Sequence, residues 1–535
     1  MLDLCIQNAQ VVNGKNEEPY WADVGIVGDT IVQICPKDGP QCVTELQEKP
    51  AKRVIDAKGR TLTPGFIDIH CHSDAITFHP QKNPLRLRQG FTTEVIGNCG
   101  LGAAPVNPKY REQLRTYNNP YFSNIPIPYT WTTFDGYLQA LQEQQPLLNT
   151  AALVGHGALR AAISGFENRQ LTQEELEQMK GLLRESLEAG AFGMSTGLIY
   201  PPGTYANDQE ILQLAKVVQE YDGLYSTHMR NESFHLVEAV QETLHVARET
   251  GVNTEISHHK AAGKKNFGKT AVTLDMIQKA NEEGLRVHCD VYPYDASSTQ
   301  FSAVLPPWAL SGGVDALLER LGDPQTRSQI IADIKKEPAT YENFYLHGGW
   351  DKILINECSV EEYVGKTVEQ IAQEKGRDPF EMALDIIKDS SNNVMMIVFL
   401  LDEKEVASIL KHPCSMVCTD GFPSFGRYHP RYIGSFVRVL EKYVKQEQLL
   451  TLPQAVYKMT GMPARKLGLS DRGVVEEGAK ADLLLLDLPN VADHSDYLHH
   501  NAPATGVDYV IINGTIAVDE GVPQDVCAGK VLRRR

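Results

Sequence analysis

Six side chains that could bind a metal ion or carry a proton lie at the ends of short apolar runs. They are His70 and His72 in "FIDIHCH", Cys99 in "VIGNCG", His228 in "YSTHMR", His258 in "ISHHK" and Asp420 in "CTDG". Imidazole and thiolate together suit zinc, a borderline-soft ion, and a carboxylate beside them can accept or donate a proton. The residues therefore predict a metal-assisted hydrolytic site, provided that the fold gathers these ends.

Each of these residues also has an ordinary explanation when taken alone. Two histidines two residues apart are commonly solvated or hydrogen-bonded, and a single free cysteine packs as a small hydrophobic residue. An aspartate before a glycine is typical of a turn. In "ISHHK", strand alternation lets only one of His258 and His259 face a site. The interpretation rests on the conjunction, because five ligands and a carboxylate at matching strand ends would rarely coincide by chance.

The elements that must position these residues are alternating strands and helices. Apolar runs that are mostly followed by helix-like segments cover residues 66–72, 92–100, 150–157, 191–200, 224–231, 254–260, 286–294 and 415–421. Eight such units predict a parallel (β/α)8 barrel, in which the C-terminal strand ends carry the catalytic groups. "NVMMIVFLL" (393–401) is a ninth candidate for eight places. Thr172 and Glu175 form a capping-box pattern that predicts a helix start.

The two ends of the chain predict a second, smaller unit. Residues 2–14 and 507–521 both alternate apolar and polar residues and contain Asn-Gly, a strong tight-turn signal. Both ends must therefore meet in space. The predicted units are a small β-sandwich domain from 1–60 plus 474–535, a catalytic barrel from 61–473, and an insertion over the barrel mouth at about 295–390.

Composition excludes several classes of partner. The chain has 535 residues and a formal net charge of −17, which argues against nucleic acid and against an electrostatic hold on anionic lipid. Its longest fully apolar run, 394–401, is far shorter than the ~20 residues of a spanning helix. Ten scattered cysteines and an N-terminus without a basic segment are typical of a cytoplasmic protein with free thiols. We expect a small-molecule substrate, and the oligomeric state stays open.

Several segments resemble the amidohydrolase superfamily and, more closely, its N-acyl-D-amino-acid deacylases, or D-aminoacylases. The superfamily likeness lies in "PGFIDIHCHSD", "THMRNE", "ISHHK" and "TDGFP". The closer likeness lies in "VIGNCGLGAAPV", "STGLIYPPGTYA", "YPYDASST" and "HPRYIGSF". It extends from about residue 2 to the terminal "GKVLRRR", and "GNCG" is its most discriminating element.

The resemblance implies zinc-dependent hydrolysis of the amide bond of N-acyl-D-amino acids to a carboxylate and a free D-amino acid. It implies that Cys99, His228 and His258 hold a tightly bound zinc. His70 and His72, with Cys99 bridging, would form a weaker second site, and Asp420 would be the general acid and base. The residues implied to bind the substrate α-carboxylate are Lys260, Tyr292, Ser298 and Arg431.

The residues themselves support these substrate roles only in part. Arg431 offers a bidentate fork to a carboxylate. Lys260 shares a strand face with His258 if that strand extends so far. Tyr200 in "LIYPPG" would line the pocket, and the apolar stretch "FSAVLPPWAL" (301–310) favours neutral hydrophobic side chains. The D configuration comes from the resemblance alone.

Two other functions are compatible with the same barrel. Cyclic-amide hydrolases of the hydantoinase and dihydropyrimidinase kind usually place a carbamylated lysine between two metals. We find no equivalent lysine, and "GNCG" also argues against that class. A metal-free scaffold is the other alternative, and the presence of all five candidate ligands and Asp420 argues against it.

Overall fold

The structure is a computed structural model and describes residues 1–79, 84–424, 427, 429–497, 499–500 and 502–534. Its strands are β1 Leu2–Val11, β2 Tyr20–Val27, β3 Thr30–Lys37, β4 Ala51–Asp56, β5 Thr61–Pro64, β6 Phe66–Asp68, β7 Phe91–Ile96, β8 Asn149–Ala152, β9 Val154–Gly155, β10 Gly193–Gly197, β11 Leu224–His228, β12 Asn253–Ile256, β13 Val287–Val291, β14 Ser297–Gln300, β15 Ile353–Cys358, β16 Lys366–Thr367, β17 Val394–Val398, β18 Ser415–Val417, β19 Leu483–Leu486, β20 Val507–Ile512, β21 Thr515–Asp519 and β22 Val522–Pro523.

Its α-helices are α1 Glu45–Glu48, α2 Pro84–Arg88, α3 Arg111–Asn118, α4 Phe134–Glu143, α5 His156–Ser164, α6 Gln173–Glu188, α7 Asp208–Glu220, α8 Leu236–Thr250, α9 Lys269–Glu282, α10 Val314–Gly322, α11 Pro324–Lys335, α12 Phe344–Gly348, α13 Val368–Lys375, α14 Pro379–Asp389, α15 Glu403–Lys411, α16 Arg431–Arg438, α17 Leu452–Met459 and α18 Gly461–Leu467.

The eight predicted runs form the barrel. β6, β7 and β8 pair in parallel, and a second parallel sheet has the order β18-β13-β12-β11-β10-β9. β8 and β9 are consecutive pieces of the third run, so the two sheets supply eight strand positions. Beyond β18 and β6 the backbones also meet, since the Asp420 amide donates to the His70 carbonyl at 2.8 Å and the His72 amide to the Gly421 carbonyl at 3.0 Å. The predicted (β/α)8 architecture is confirmed.

The ninth apolar run lies outside the barrel. It forms β17, which pairs antiparallel with β14 and β15 in a four-stranded sheet of order β14-β17-β15-β16. Phe301, Ile355 and Met396 belong to a hydrophobic core of this region. A buried antiparallel strand and a buried parallel strand have the same apolar composition, so the run could not be assigned from its residues. The bounds predicted for the insertion stay a prediction.

The two chain ends meet in one nine-stranded sheet. β5 pairs antiparallel with β19, with Leu62 opposite Leu485, and this contact joins the N-terminal strands to the C-terminal ones. Along β19 the period of two separates two faces. Leu483 and Leu485 face the core of this sheet, while Leu484 and Leu486 pack into the core shared with the barrel helices. The exact boundaries of the predicted domains stay a prediction.

The capping box predicted at Thr172 and Glu175 is present at the start of α6. The Glu175 amide donates to Thr172 Oγ1 at 3.2 Å, and the Thr172 amide donates to Glu175 Oε2 at 2.9 Å. Such caps contribute about 1 kcal/mol. The buried Met179, Leu183 and Leu187 recur every fourth residue, so α6 presents one apolar stripe to the barrel.

Two further observations concern the part of the chain that the structure describes. Among the described residues, no helix combines the length and the apolar character needed to cross a bilayer. All ten cysteines are unpaired.

Candidate metal centre

His70 and His72 lie at the rim of the barrel, just beyond the end of β6 at Asp68. Both imidazoles are buried, and their ring centroids are 5.4 Å apart. Cys71 between them faces the other way, with its Sγ 3.4 Å from the Val95 carbonyl oxygen. The alternation of the strand therefore continues past its last residue and brings the two imidazoles to the same side.

The six predicted residues converge in two groups that share Cys99. His70, His72, Cys99 and Asp420 each offer a ligand atom, and these atoms lie within 4.8 Å of one another. Cys99, His228 and His258 form the second group by the same measure. The Cys99 sulfur lies 3.3 Å from His70 Nε2 and 3.4 Å from His258 Nε2. A single thiol thus stands between two histidine pairs.

His228 provides a test of whether this donor set suits a metal ion. Its two ring nitrogens are buried, and neither has a hydrogen-bond partner among the described residues. An imidazole left in that state loses the hydrogen bonds it would make with water, which is costly unless another ligand takes their place. Thiolate and imidazole are the donors that zinc prefers. The residues present therefore fit a zinc ion.

Three of the converging residues have an unusual backbone conformation. The φ angles of Cys99, His258 and Asp420 are 54°, 37° and 45°, in the left-handed region that residues with a side chain seldom adopt. Such strain persists only where surrounding structure holds it, and it concentrates at functional sites. Gly197 is part of that support, because an added Cβ would lie 2.0 Å from the Cys99 carbonyl oxygen.

Two carboxylates outside the predicted site residues contact the histidines. Glu232 Oε1 lies 2.9 Å from His258 Nδ1, which Lys260 Nζ also approaches at 2.7 Å, and Asp290 Oδ2 lies 3.4 Å from His70 Nδ1. In both rings this leaves Nε2 directed at Cys99. Carboxylates that bind the outer nitrogen of a histidine ligand are a regular feature of metal sites. Glu232 belongs to "THMRNE", so its spacing of four from His228 was the available signal.

Burial shifts the pKa of three of the candidate ligands. It lowers the pKa of His228 and of His258 well below the usual value, so both imidazoles are neutral and can offer a lone pair. Burial also raises the pKa of Cys99 to about 11. A nearby cation reverses that effect by stabilising the thiolate. His259, the neighbour of His258, is turned away and bonds Thr273 Oγ1 at 2.8 Å.

Asp420 lies between the histidines and Arg431. Its Oδ1 is 3.1 Å from His72 Nε2 and 3.4 Å from His70 Nε2, and its Oδ2 is 2.8 Å from Arg431 Nη1. Burial alone would raise the pKa of Asp420, but Arg431 and the histidines hold it well below its ordinary value. The carboxylate is therefore ionised and able to accept a proton.

The five predicted substrate residues are distributed over two layers. Tyr200, Lys260 and Ser298 line the small pocket above the metal-binding groups. Arg431 lies deeper, where Nη2 donates to the Ser298 carbonyl at 3.1 Å and the guanidinium stands 4.6 Å from the centre of the Tyr292 ring. The strand expected to carry Lys260 ends at Ile256, so alternation does not reach this residue. Its Nζ nonetheless lies 2.7 Å from Glu232 Oε1.

The predicted pocket segment 301–310 borders a different cavity. The space above the metal-binding groups is about 20 Å³, room for roughly one water, so a substrate has to displace wall side chains. A neighbouring cavity of about 510 Å³ is lined by Ser302, Ala303 and Leu305, among others. The two spaces share Tyr121 and Tyr200 as a wall.

Aromatic residues outside the predicted set complete the smaller pocket. Phe422 stacks on His72 with ring centroids 4.2 Å apart, and Tyr121 meets Tyr200 edge to face at 5.8 Å. Phe344 lines the same space. Only Phe422 had a sequence signal, because it follows Asp420 in "TDGFP".

Comparison with known proteins agrees with this geometry. Residues 53–518 match the model of the Amidohydrolase family. The chain is 36% identical to an N-acyl-D-glutamate deacylase from Alcaligenes xylosoxydans xylosoxydans over 100% of this chain and 97% of that protein. It is 32% identical to a D-aminoacylase of the same organism over 99% of this chain and 98% of that protein.

Solved structures of deacylases are also similar to this chain over nearly its full length. The N-acyl-D-glutamate deacylase of Bordetella bronchiseptica, complexed with zinc and a phosphonate mimic of the tetrahedral intermediate, has a TM-score of 0.83 and 34% identity over 99% of both chains. An L-hydantoinase from Arthrobacter aurescens has a TM-score of 0.57 and 16% identity over 100% of both chains, which shows a common fold alone.

Proposed function

The chain belongs to the amidohydrolase family, and from the geometry of its site we propose that it is a zinc-dependent N-acyl-D-amino-acid deacylase. The observation that carries this proposal is the convergence of Cys99 with two histidine pairs and Asp420. Full-length likeness to enzymes named D-aminoacylase and N-acyl-D-glutamate deacylase supports it, and the D configuration rests on those relatives.

Two sets of residues would hold zinc. Cys99, His228 and His258 would form the tight site, since neither ring nitrogen of His228 has a hydrogen-bond partner among the described residues. His70 and His72, with Cys99 shared, would form a second, weaker site. When bound, zinc supplies Lewis acidity, which polarises a carbonyl group and acidifies water.

Asp420 would move the proton of the reaction. As an ionised carboxylate beside His72, it accepts a proton from the water whose oxygen attacks the amide carbonyl. The same carboxyl then donates that proton to the amine nitrogen as the carbon–nitrogen bond breaks. The products are a carboxylate and a free amino acid. General acid–base catalysis of this kind contributes about 10²–10⁴-fold.

Lys260 and Arg431 would bind the substrate α-carboxylate. Both cations already contact carboxylates in the protein, yet each keeps donor capacity. Lys260 has three N–H groups, and the Nε of Arg431 has no hydrogen-bond partner among the described residues. Ser298 borders the pocket, and Tyr292 supports the Arg431 guanidinium from below. Tyr200 would form one wall.

The pocket supports neutral hydrophobic side chains as the preferred substrates. Leu101, Tyr121, Phe344 and Phe422 contribute apolar surface to it, and Lys260 is the one cation among its described lining residues. If Lys260 binds the α-carboxylate, no second cation of that lining is left for an acidic side chain.

The predicted cytoplasmic location also stays a prediction, and the unpaired cysteines support it.

A substrate panel tests the proposed function. Zinc-analysed protein would be assayed with N-acetyl-D-methionine, N-acetyl-L-methionine, N-acetyl-D-glutamate and a hydantoin. We expect hydrolysis of the D-methionine derivative with the highest kcat/KM. Hydantoin turnover without deacylation would instead identify a cyclic-amide hydrolase, and the absence of zinc and of all turnover would identify a scaffold.

A further inference from the structure

A pair of thiols lies away from the proposed metal centre, between two neighbouring barrel strands. Cys289 is in β13, and Cys414 directly precedes β18. The Cys289 amide donates to the Cys414 carbonyl at 3.1 Å, and both side chains belong to the same buried cluster. Cys289 is fully buried, whereas Cys414 is 6% exposed beside the partly exposed His412.

The surroundings of Cys414 favour its thiolate form. His412 Nδ1 lies 2.8 Å from the Cys414 sulfur. The Lys458 ammonium is close by, bonding the Ser415 carbonyl at 2.9 Å and Ser415 Oγ at 3.0 Å. The neighbouring Cys289 thiol, together with His412 and Lys458, lowers the pKa of Cys414 below its ordinary value. The neighbouring Cys414 sulfur and burial raise the pKa of Cys289 well above its ordinary value.

This asymmetry divides the pair into an attacking and a resolving thiol. The lowered pKa favours the thiolate of Cys414, which is the nucleophilic form, and the raised pKa favours the protonated thiol of Cys289. Cys289 lies opposite Ser415, the residue after Cys414, and neighbouring strands lie about 4.8 Å apart. This diagonal placement is compatible with the separation of about 4.4–6.8 Å that a disulfide spans between Cα atoms. We propose that Cys414 is a site of oxidation by peroxides, and that it forms a reversible disulfide with Cys289.

The reaction balances with hydrogen peroxide as the oxidant. The Cys414 thiolate attacks one peroxide oxygen, the oxygen–oxygen bond breaks, and the departing hydroxide takes up a proton to become water. The Cys289 sulfur then attacks the sulfenic sulfur of Cys414, and the sulfur–oxygen bond breaks. The hydroxyl group leaves with the Cys289 proton as a second water. Two thiols are oxidised by two electrons in all, and a dithiol reductant reverses the change.

Peptide mapping of the full-length protein tests this proposal. The protein would be exposed to hydrogen peroxide at neutral pH, alkylated and digested. We expect a cross-linked peptide that joins Cys289 to Cys414 and disappears on treatment with a dithiol. Cys42 and Cys527 are exposed and serve as internal controls. We expect Cys414 to react about ten-fold faster than either, because its thiolate fraction outweighs its burial.

Variants identify the role of each sulfur. Cys289→Ser should prevent the cross-link and leave a sulfenic acid at Cys414 that dimedone traps, while Cys414→Ser should abolish both products. His412→Asn, at a partly exposed position, should slow oxidation of Cys414. Oxidation of Cys42 and Cys527 ahead of Cys414, or no cross-linked peptide in the wild-type protein, would overturn the proposal. The wild-type map decides it even if a variant at a buried sulfur fails to fold.

Discussion

The Arg431 guanidinium lies 2.8 Å from Asp420 Oδ2, and both side chains are buried. The sequence resemblance predicts separate roles for them, with Arg431 binding the substrate carboxylate and Asp420 transferring the proton. The structure joins them in one ion pair that also contacts His72. Removing one partner of a buried pair leaves an uncompensated charge and costs about 3–5 kcal/mol. Variants at either residue therefore need a folding control.

Asp420→Asn should lower kcat for the D-substrate by about 10²–10⁴-fold, because asparagine cannot accept the proton. Zinc per chain should stay close to the wild-type value, since Cys99, His228 and His258 are unchanged. Steady-state kinetics and metal analysis of the same preparation measure both. The matched control is Asp23→Asn, which breaks a buried ion pair with Lys37 in the terminal sheet. A kcat near the wild-type value in Asp420→Asn would remove Asp420 from proton transfer.

Cys99→Ala should lose most zinc and nearly all activity, because this sulfur is shared by both groups of ligand atoms. Cys71→Ala is the control, as it removes a neighbouring buried thiol that faces the Val95 carbonyl instead. Zinc affinity by competition with a chelator is the direct measurement. A Cys99→Ala protein that binds zinc and turns over like the wild type would show that the ligand has been misassigned.

Glu232→Gln should weaken zinc binding by about 10–100-fold, since the carboxylate holds the outer nitrogen of His258. The amide keeps the size of the side chain and removes its charge. Glu238→Gln serves as control, because Glu238 is exposed in α8. Chelator competition on the two variants separates them, and equal affinities would mean that Glu232 does not support the ligand.

The convergence of the candidate ligands could be predicted from the sequence because barrel topology fixes where strand ends meet. His70, Cys99 and His258 each follow a strand that could be recognised from its apolar run. The positive φ angles of Cys99 and His258 could not be predicted, because backbone strain depends on tertiary contacts. The Asp420–Arg431 pair could not be predicted either, since nothing in the local sequence indicates which distant charge a carboxylate meets.

Glu357 in β15 should give the protein a pH-dependent stability. Burial raises its pKa to about 7, although Ser424 and Ser123 act in the opposite direction. The folded state thus binds the proton more tightly than the unfolded one, whose pKa is near the ordinary 4.5. This stabilisation is full below about pH 4.5 and is lost as the pH rises through about 7, amounting to roughly 3 kcal/mol.

Glu357→Gln should therefore raise Tm relative to the wild type by an amount that grows from pH 5 to pH 8. The difference arises because glutamine stays neutral throughout. Thermal melts across this range measure it, and Glu361→Gln, at an exposed position nearby, is the control. A Tm difference that does not change with pH would mean that Glu357 is ionised in the folded protein at both ends of the range.

The most direct test of the central claim is a zinc titration of metal-free protein, followed by hydrolysis of N-acetyl-D-methionine and N-acetyl-L-methionine. We predict that activity toward the D-substrate rises in proportion to added zinc up to one ion per chain. The L-substrate should stay at least about 100-fold slower, which corresponds to about 2.7 kcal/mol of discrimination. Full activity of the metal-free protein, or a zinc-loaded protein that cleaves neither substrate, would contradict the account.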